Sequence, residues 1–201
     1  KAECRCCGHS RLRQEVSLGL TPLANNLLDS LDEVDKLYPL ELNYCPECFN
    51  CQLSVVVPPE KMFKDYLYVS STNKTFREHF SNFTNELVDN YSLNSSSLVV
   101  DIGSNDGVFL KPMQERGINI IGVDPAQNLA DIANSNNIET IPDFFNESVV
   151  KQIVNTKGNA DIVTAFNVFA HADDLKGIAK NVDGNDFNGK KEQLLKLTIK
   201  N

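Results

Sequence analysis

The stretch Leu98-Val-Val-Asp-Ile-Gly-Ser-Asn-Asp-Gly-Val-Phe-Leu110 passes from an apolar run through a short polar loop into a second apolar-patterned segment. Val99, Val100 and Ile102 suit a strand buried on both faces, since β-branched side chains pack well on a pleated surface. Gly103 and Gly107 let the chain turn sharply with no Cβ in the way, and Asp106 or Asn105 is expected to cap the helix that follows. Ile118-Asn-Ile-Ile-Gly-Val-Asp124 then reads as a second buried strand ending in a carboxylate. That is the spacing, roughly 20 residues on, at which a βαβ unit sets an acid against ribose hydroxyls. The chain is thereby committed to an α/β fold with a nucleotide-like ligand at its strand ends.

The loop chemistry narrows the ligand. A dinucleotide fold wants G-x-G-x-x-G, so that a pyrophosphate can approach N–H groups at a helix N-terminus. Here the pattern is Asp101-x-Gly103-x-x-x-Gly107. Asp101 and Asp106 would repel a pyrophosphate, but they suit a ligand carrying an ammonium and a sulfonium. This resembles motif I of the S-adenosylmethionine (SAM) methyltransferases. The resemblance implies that Gly103, Ser104 and Gly107 pass close to the cofactor, with Asp101 and Asn105 beside them. It also implies that Asp124, followed by Pro125, takes both ribose hydroxyls. The loop alone also fits an ordinary β-turn-α of an unrelated α/β protein; the paired Asp124 favours the cofactor.

At 201 residues the chain can bury one good core, or one core plus a small satellite held by metal. Its net charge of −8, with no long basic run, argues against nucleic acid or an anionic membrane as partner. No stretch has the length of a membrane helix and the amino end shows no signal peptide, so a cytoplasmic location is expected.

All six cysteines, at positions 4, 6, 7, 45, 48 and 51, fall in the first quarter of the chain. Cys4-x-x-Cys7 and Cys45-Pro-Glu-Cys48 have knuckle spacing: each pair can turn two thiolates toward one tetrahedral cation, with Gly8 relieving the first turn. A structural zinc site on Cys4, Cys7, Cys45 and Cys48 is the favoured reading. A disulfide framework is the rival and would need an oxidising compartment. Cys6-x-x-His9 and Cys48-x-x-Cys51 offer alternative registers.

Strands are expected over 11–18, 38–44 and 52–57, with a short helical segment after Pro22, so that residues 1–57 form a zinc-bound β module dependent on its metal. Residues 58–97 form a linker and helical segment: a helix over 60–66, a polar-aromatic stretch, then Phe76, Phe80, Phe83, Leu87, Val88 and Tyr91 at helical spacing. That stripe is expected to pack on the sheet. Residues 98–201 form the Rossmann-like domain, with helices over 126–135, 148–155 and 172–182 and further strands over 138–141, 160–166 and 194–199.

Four residues at strand ends attract attention. Asp143 and Phe144 stand where SAM enzymes face the adenine, or else serve as a cap and a core aromatic. Asn167-Val-Phe-Ala-His171 closes the next strand, at the edge where ligands sit. His171 there is a base or, equally, a cap or surface residue. At most five strands can be counted, fewer than a complete methyltransferase sheet has. The expectation is a fragment, or loss of segments between Val182 and Lys190.

Taken in order, Cys4-x-x-Cys7, Leu18-Gly-x-x-Pro-Leu-Ala-Asn25, Tyr38-Pro-Leu40, Cys45-x-x-Cys48, Gln52-Leu53, Tyr66-x-Tyr-x-Ser-Ser71, Asp101-Ile-Gly-Ser-Asn-Asp-Gly107, Val123-Asp-Pro125 and Asn167-Val-Phe-Ala-His171 resemble the sugar C-methyltransferase family over residues 4 to 182. The resemblance implies an amino-terminal zinc-binding domain, a class I SAM sheet and a carboxy-terminal domain. It implies methylation of a carbon beside the ketone of a nucleotide-linked keto-sugar. It places Tyr66, Tyr68 and Ser71 over the methionine end of the cofactor. The family's Glu-His acid/base motif and its carboxy-terminal domain have no counterpart here. The expected activity is thus SAM-dependent C-methylation of a small-molecule sugar nucleotide; the alternative is a non-catalytic zinc-bearing protein that binds SAM or a sugar nucleotide.

Overall fold

The computed structural model describes residues 3–24, 26–183 and 194–195. Among these, one compact unit runs up to Met62 and includes Asp173–Leu175; the other runs from Phe63 to Ala172 and resumes at Lys176.

The first unit is an antiparallel sheet of β1 (Arg13–Thr21), β2 (Tyr38–Tyr44) and β3 (Cys51–Leu53), in that order. Three expectations are corrected here. β1 does not stop at Leu18, because Gly19, at φ +77°, absorbs a register shift between Ser17 and Leu20 and the strand continues. Between Pro22 and Tyr38 the described residues form no helix. β3 ends at Leu53, short of Val57: the Ser54 N–H turns to Glu41 O at 3.0 Å and its hydroxyl to Glu41 Oε2 at 2.7 Å.

α1 (Glu60–Phe63) ends three residues before the expected Tyr66. The Tyr66 N–H donates to Asn128 Oδ1, so it does not extend the helical ladder. α2 (Lys74–Tyr91) begins at Asn73, whose Oδ1 accepts from Thr75 N and Phe76 N, and ends at Ser92 in the left-handed region. Its Phe80, Phe83 and Leu87 are buried as the stripe requires, whereas Tyr91 is exposed.

The second sheet contains β4 (Leu98–Ile102), β5 (Asn119–Val123), β6 (Thr140–Ile141), β7 (Ile162–Ala165) and β8 (Leu194–Leu195), all parallel, in the order β6-β5-β4-β7-β8. The rest of the expected last strand lies outside the described residues. The connecting helices are α3 (Leu110–Gln114), α4 (Gln127–Ser135), α5 (Glu147–Lys157) and α6 (Leu175–Asp183). Chain order reverses at β4, which has β5 on one side and β7 on the other, so a crevice opens at the carboxyl end of β4.

Alternation along β4 feeds two cores. Leu98, Val100 and Ile102 pack with Val149, Val150 and Ile153 of α5, while Val99 packs with Phe80, Phe83 and Leu87 of α2 and with Leu110 and Met113 of α3. β4 is buried along its whole length, Asp101 included, as a strand covered on both faces requires. No described helix is long and apolar enough to cross a membrane.

Candidate functional site

The loop after β4 is drawn onto β5: Gly103 N and Ser104 N both donate to Val123 O, at 2.7 and 3.3 Å. The path needs positive φ at Gly103 (+67°), Asn105 (+53°) and Gly107 (+82°). Space is equally restrictive. A Cβ on Gly107 would stand 2.7 Å from Ile138 Cδ1, and one on Gly122 would stand 2.4 Å from Ser104 Oγ. The chain thus brings bare backbone to the carboxyl edge of β4.

Asp124 closes β5 and is almost fully buried. Its two oxygens accept from Asn105 N at 2.7 Å and Ala126 N at 2.9 Å. Burial raises its pKa; the two N–H bonds oppose that rise and the neighbouring Asp106 adds to it. Each oxygen keeps a second lone pair for a ligand hydroxyl. Asp106 Oδ2 accepts from Ser71 N at 3.3 Å, but its Oδ1 and the Ser104 hydroxyl are buried without a hydrogen-bond partner. Polar atoms in that state fit a ligand that brings N–H or O–H donors.

Neither Asn105 nor Asp106 caps α3, contrary to expectation; the helix starts at Leu110 with no side-chain cap. Their side chains bind the segment before α2 instead, with Asn105 Nδ2 on Tyr68 O at 2.9 Å. Tyr68 and Ser71 are therefore brought to the loop. Asp101 is buried in β4 beside Thr164 of β7. Burial lifts its pKa to about 8, against a bond from Thr164 Oγ1 at 2.6 Å and with Asp124 adding to the rise.

Of the other positions, Pro125 follows Asp124 half-buried into the start of α4. Asp143 is exposed and its Oδ1 accepts from Phe144 N at 2.7 Å; the core aromatic of that corner is Phe145, while Phe144 is half-buried. Asn167 stands exposed in the left-handed region just past β7, and His171 is exposed at the end of the 3-10 turn Phe169–His171. Thr164 and Asn128 went unnoticed in the sequence because their partners lie 63 and 62 residues away.

In the first unit, the Sγ atoms of Cys4, Cys7, Cys45 and Cys48 all lie within 4.8 Å of one another. Cys4 and Cys48 are 3.5 Å apart, Cys7 and Cys45 3.6 Å. Thiolates about 2.3 Å from a tetrahedral zinc would be about 3.8 Å apart, so the cage fits that ion. The two knuckles are built alike. Cys4 N bonds His9 O and Gly8 N bonds Cys4 O; Cys45 N bonds Asn50 O and Phe49 N bonds Cys45 O, all at 2.9 Å. Gly8 (φ +77°) and Phe49 (φ +62°) take the same left-handed place.

Without a cation the four sulfurs oppose one another. Burial disfavours the Cys4 thiolate, yet N–H bonds from Cys7 and Cys6 and the neighbouring thiols lower its pKa to about 6. Cys48, against a bond from Asn50 N, is pushed up to about 12 by Cys7, by burial, and by Cys4 and Cys45. Cys6 and Cys51 are exposed and outside the cage. Gln52 ties the arms: its Oε1 accepts from Arg5 N at 2.9 Å and its Nε2 donates to Glu3 O at 3.0 Å. Its position next to Cys51 gave no hint of this.

Residues 4–63 match a family described as "Putative zinc binding domain", and residues 74–183 match one described as "Methyltransferase domain". C-methyltransferase NovU of Streptomyces niveus is 37% identical over 182 residues, which is 90% of this chain and 43% of NovU. The chain thus spans less than half of that relative's length. Among solved structures, a SAM-dependent methyltransferase from Archaeoglobus fulgidus is similar at 20% identity and TM-score 0.34, over 45% of this chain and 38% of its own. One from Thiobacillus denitrificans, in complex with S-adenosyl-L-homocysteine, is similar at 15% identity and TM-score 0.39, over 63% and 50%.

Proposed function

Since the chain belongs to the methyltransferase domain family, here preceded by a zinc-binding module, we propose that it is the SAM-binding portion of a C-methyltransferase acting on a nucleotide-linked keto-sugar. The observation that carries this is the 37% identity to a C-methyltransferase through both modules, over 90% of the chain. The loop geometry supports the cofactor: bare backbone at Gly103 and Gly107, and buried acceptors at Ser104, Asp106 and Asp124.

When bound, SAM supplies a methyl group on a positively charged sulfur. In this reading Gly103, Ser104, Asn105 and Gly107 form the close wall of its site, and Asp124 receives the ribose hydroxyls. Pro125 follows beneath them. Tyr68 and Ser71 stand at the methionine end, Asp143 and Phe144 at the adenine, and Asn167 on the floor. Asp101 contributes through Thr164 rather than by charge. His171 is assigned to removing the proton from the carbon beside the ketone. Cys4, Cys7, Cys45 and Cys48 hold zinc, which supplies folding energy to the first unit.

Calorimetric titration with S-adenosylhomocysteine and with NAD tests the cofactor. Binding of the first alone is expected, weakened by about 1–3 kcal/mol in Asp124→Ala. No binding of either by folded, zinc-loaded protein would overturn the reading. For the acceptor, a nucleotide-linked keto-sugar incubated in deuterated water should take up deuterium beside its ketone, and His171→Ala should abolish that exchange.

A further inference from the structure

Between α1 and α2 the chain crosses the cofactor loop as a strap, residues 64–72, with a single 3-10 turn at Ser70–Thr72. A segment of this kind has no ladder of its own, so its backbone groups must find partners elsewhere. They find side-chain amides. Asn128, at the start of α4, accepts from Tyr66 N at 3.2 Å and donates to Tyr66 O at 2.9 Å, pairing with one residue as a neighbouring strand would. Asn105, in the loop, donates to Tyr68 O at 2.9 Å and accepts from Ser70 N at 2.9 Å. Gln127 N adds a bond to Lys64 O at 3.2 Å. Leu67 and Tyr68 between the clamps are exposed, so apolar burial contributes little there.

The clamps connect to the site. Asn105 N donates to Asp124 Oδ2 at 2.7 Å while its side chain holds the strap, so strap, loop and the β5 carboxylate share one residue. We propose that Asn128 and Asn105 are positioning residues whose carboxamides seat the strap as a wall of the cofactor site, so that strap docking and cofactor binding favour each other. The inference rests on the SAM reading above. Reciprocity follows from linkage: whatever the strap contributes to affinity, the cofactor returns as protection of the strap.

The test combines amide hydrogen exchange of a peptide covering 64–72 with S-adenosylhomocysteine titration, on the zinc-loaded chain. The variants are Asn128→Ala and Asn105→Gly. Glycine keeps the left-handed backbone of position 105 and its N–H bond to Asp124, and removes only the carboxamide. Each variant should speed exchange in the strap peptide while β4 and β5 peptides keep theirs, and should weaken S-adenosylhomocysteine by about fivefold, the worth of one net hydrogen bond. Asn128→Asp, which retains the acceptor for Tyr66 N, should lie between Asn128→Ala and wild type. In the wild-type chain S-adenosylhomocysteine should slow exchange of the strap further. Unchanged strap exchange in both variants overturns the clamps, and faster strap exchange with unchanged affinity overturns their positioning role. A wild-type chain that binds no S-adenosylhomocysteine overturns the SAM reading, and this inference with it.

Discussion

A Cβ placed on Gly103 would stand 2.3 Å from Cγ2 of Val168, so the end of β4 and the turn after β7 touch at a point where only a hydrogen fits. The contact joins the cofactor loop to the segment carrying Asn167 and His171. Gly103→Ala must push Val168 aside and also hold alanine at φ +67°. It is expected to destabilise the second unit by about 1–3 kcal/mol and to weaken S-adenosylhomocysteine. Urea unfolding checks the first and calorimetry the second. Adding Val168→Ala should recover the steric part and leave the backbone part, so a double-mutant cycle separates them.

The cysteine cage makes a prediction by exclusion. Cys45 has no solvent exposure and belongs to the set of four, whereas Cys51 is exposed and lies outside it. Cys45→Ser should lose bound zinc and, with it, the antiparallel sheet of the first unit. Cys51→Ser and Cys6→Ser should keep full zinc content. Metal analysis after dialysis decides between this register and the alternatives: loss of zinc from Cys51→Ser would place that thiol among the ligands.

Gln52 is buried, accepts from Asn50 Nδ2, and bonds the backbone of the opposite arm at Glu3 and Arg5. Supporting contacts of this kind orient ligands, and their loss costs about 10–100-fold in metal affinity. Gln52→Ala should therefore bind zinc at unchanged stoichiometry but release it to a weaker chelator than wild type does. Competition with a colorimetric chelator measures it, and an unchanged competition curve would remove Gln52 from the site.

What could be read in the chain follows from how local each feature is. The run at 98–102 reads as a buried strand because one segment carries the whole pattern, and Cys4-x-x-Cys7 states half a metal site within four residues. The strand expected to end at Leu18 runs on, since positive φ at Gly19 serves a bulge inside β1 as readily as a strand end. Asn105 and Asp106 looked like caps because capping is the nearest use for such side chains; their partners arrive from about 35 residues upstream. The rise in the Asp101 pKa is illegible in a heptapeptide, because it comes from burial and is opposed by Thr164 on another strand.

That rise has a pH signature. In the unfolded chain Asp101 titrates near the ordinary carboxylate value, and in the folded chain near pH 8. Between those two values the folded state holds a proton that the unfolded state has released. Stability from this group is therefore complete below about pH 4 and is lost as pH rises toward 8, with a slope of at most ~1.4 kcal/mol per pH unit. Asn at this position keeps the shape and an oxygen to accept from Thr164 Oγ1, and it does not titrate. The cysteines and Asp124 also titrate with pH, but they are common to both proteins, so the informative quantity is the difference between wild type and Asp101→Asn. Urea midpoints of the zinc-loaded proteins from pH 5 to 9 should show Asp101→Asn gaining on wild type steadily up to pH 8 and holding a constant lead beyond it. Parallel profiles across that range would mean that the wild-type carboxyl is already ionised in the folded protein, and would restore Asp101 as a negative charge beneath the cofactor loop.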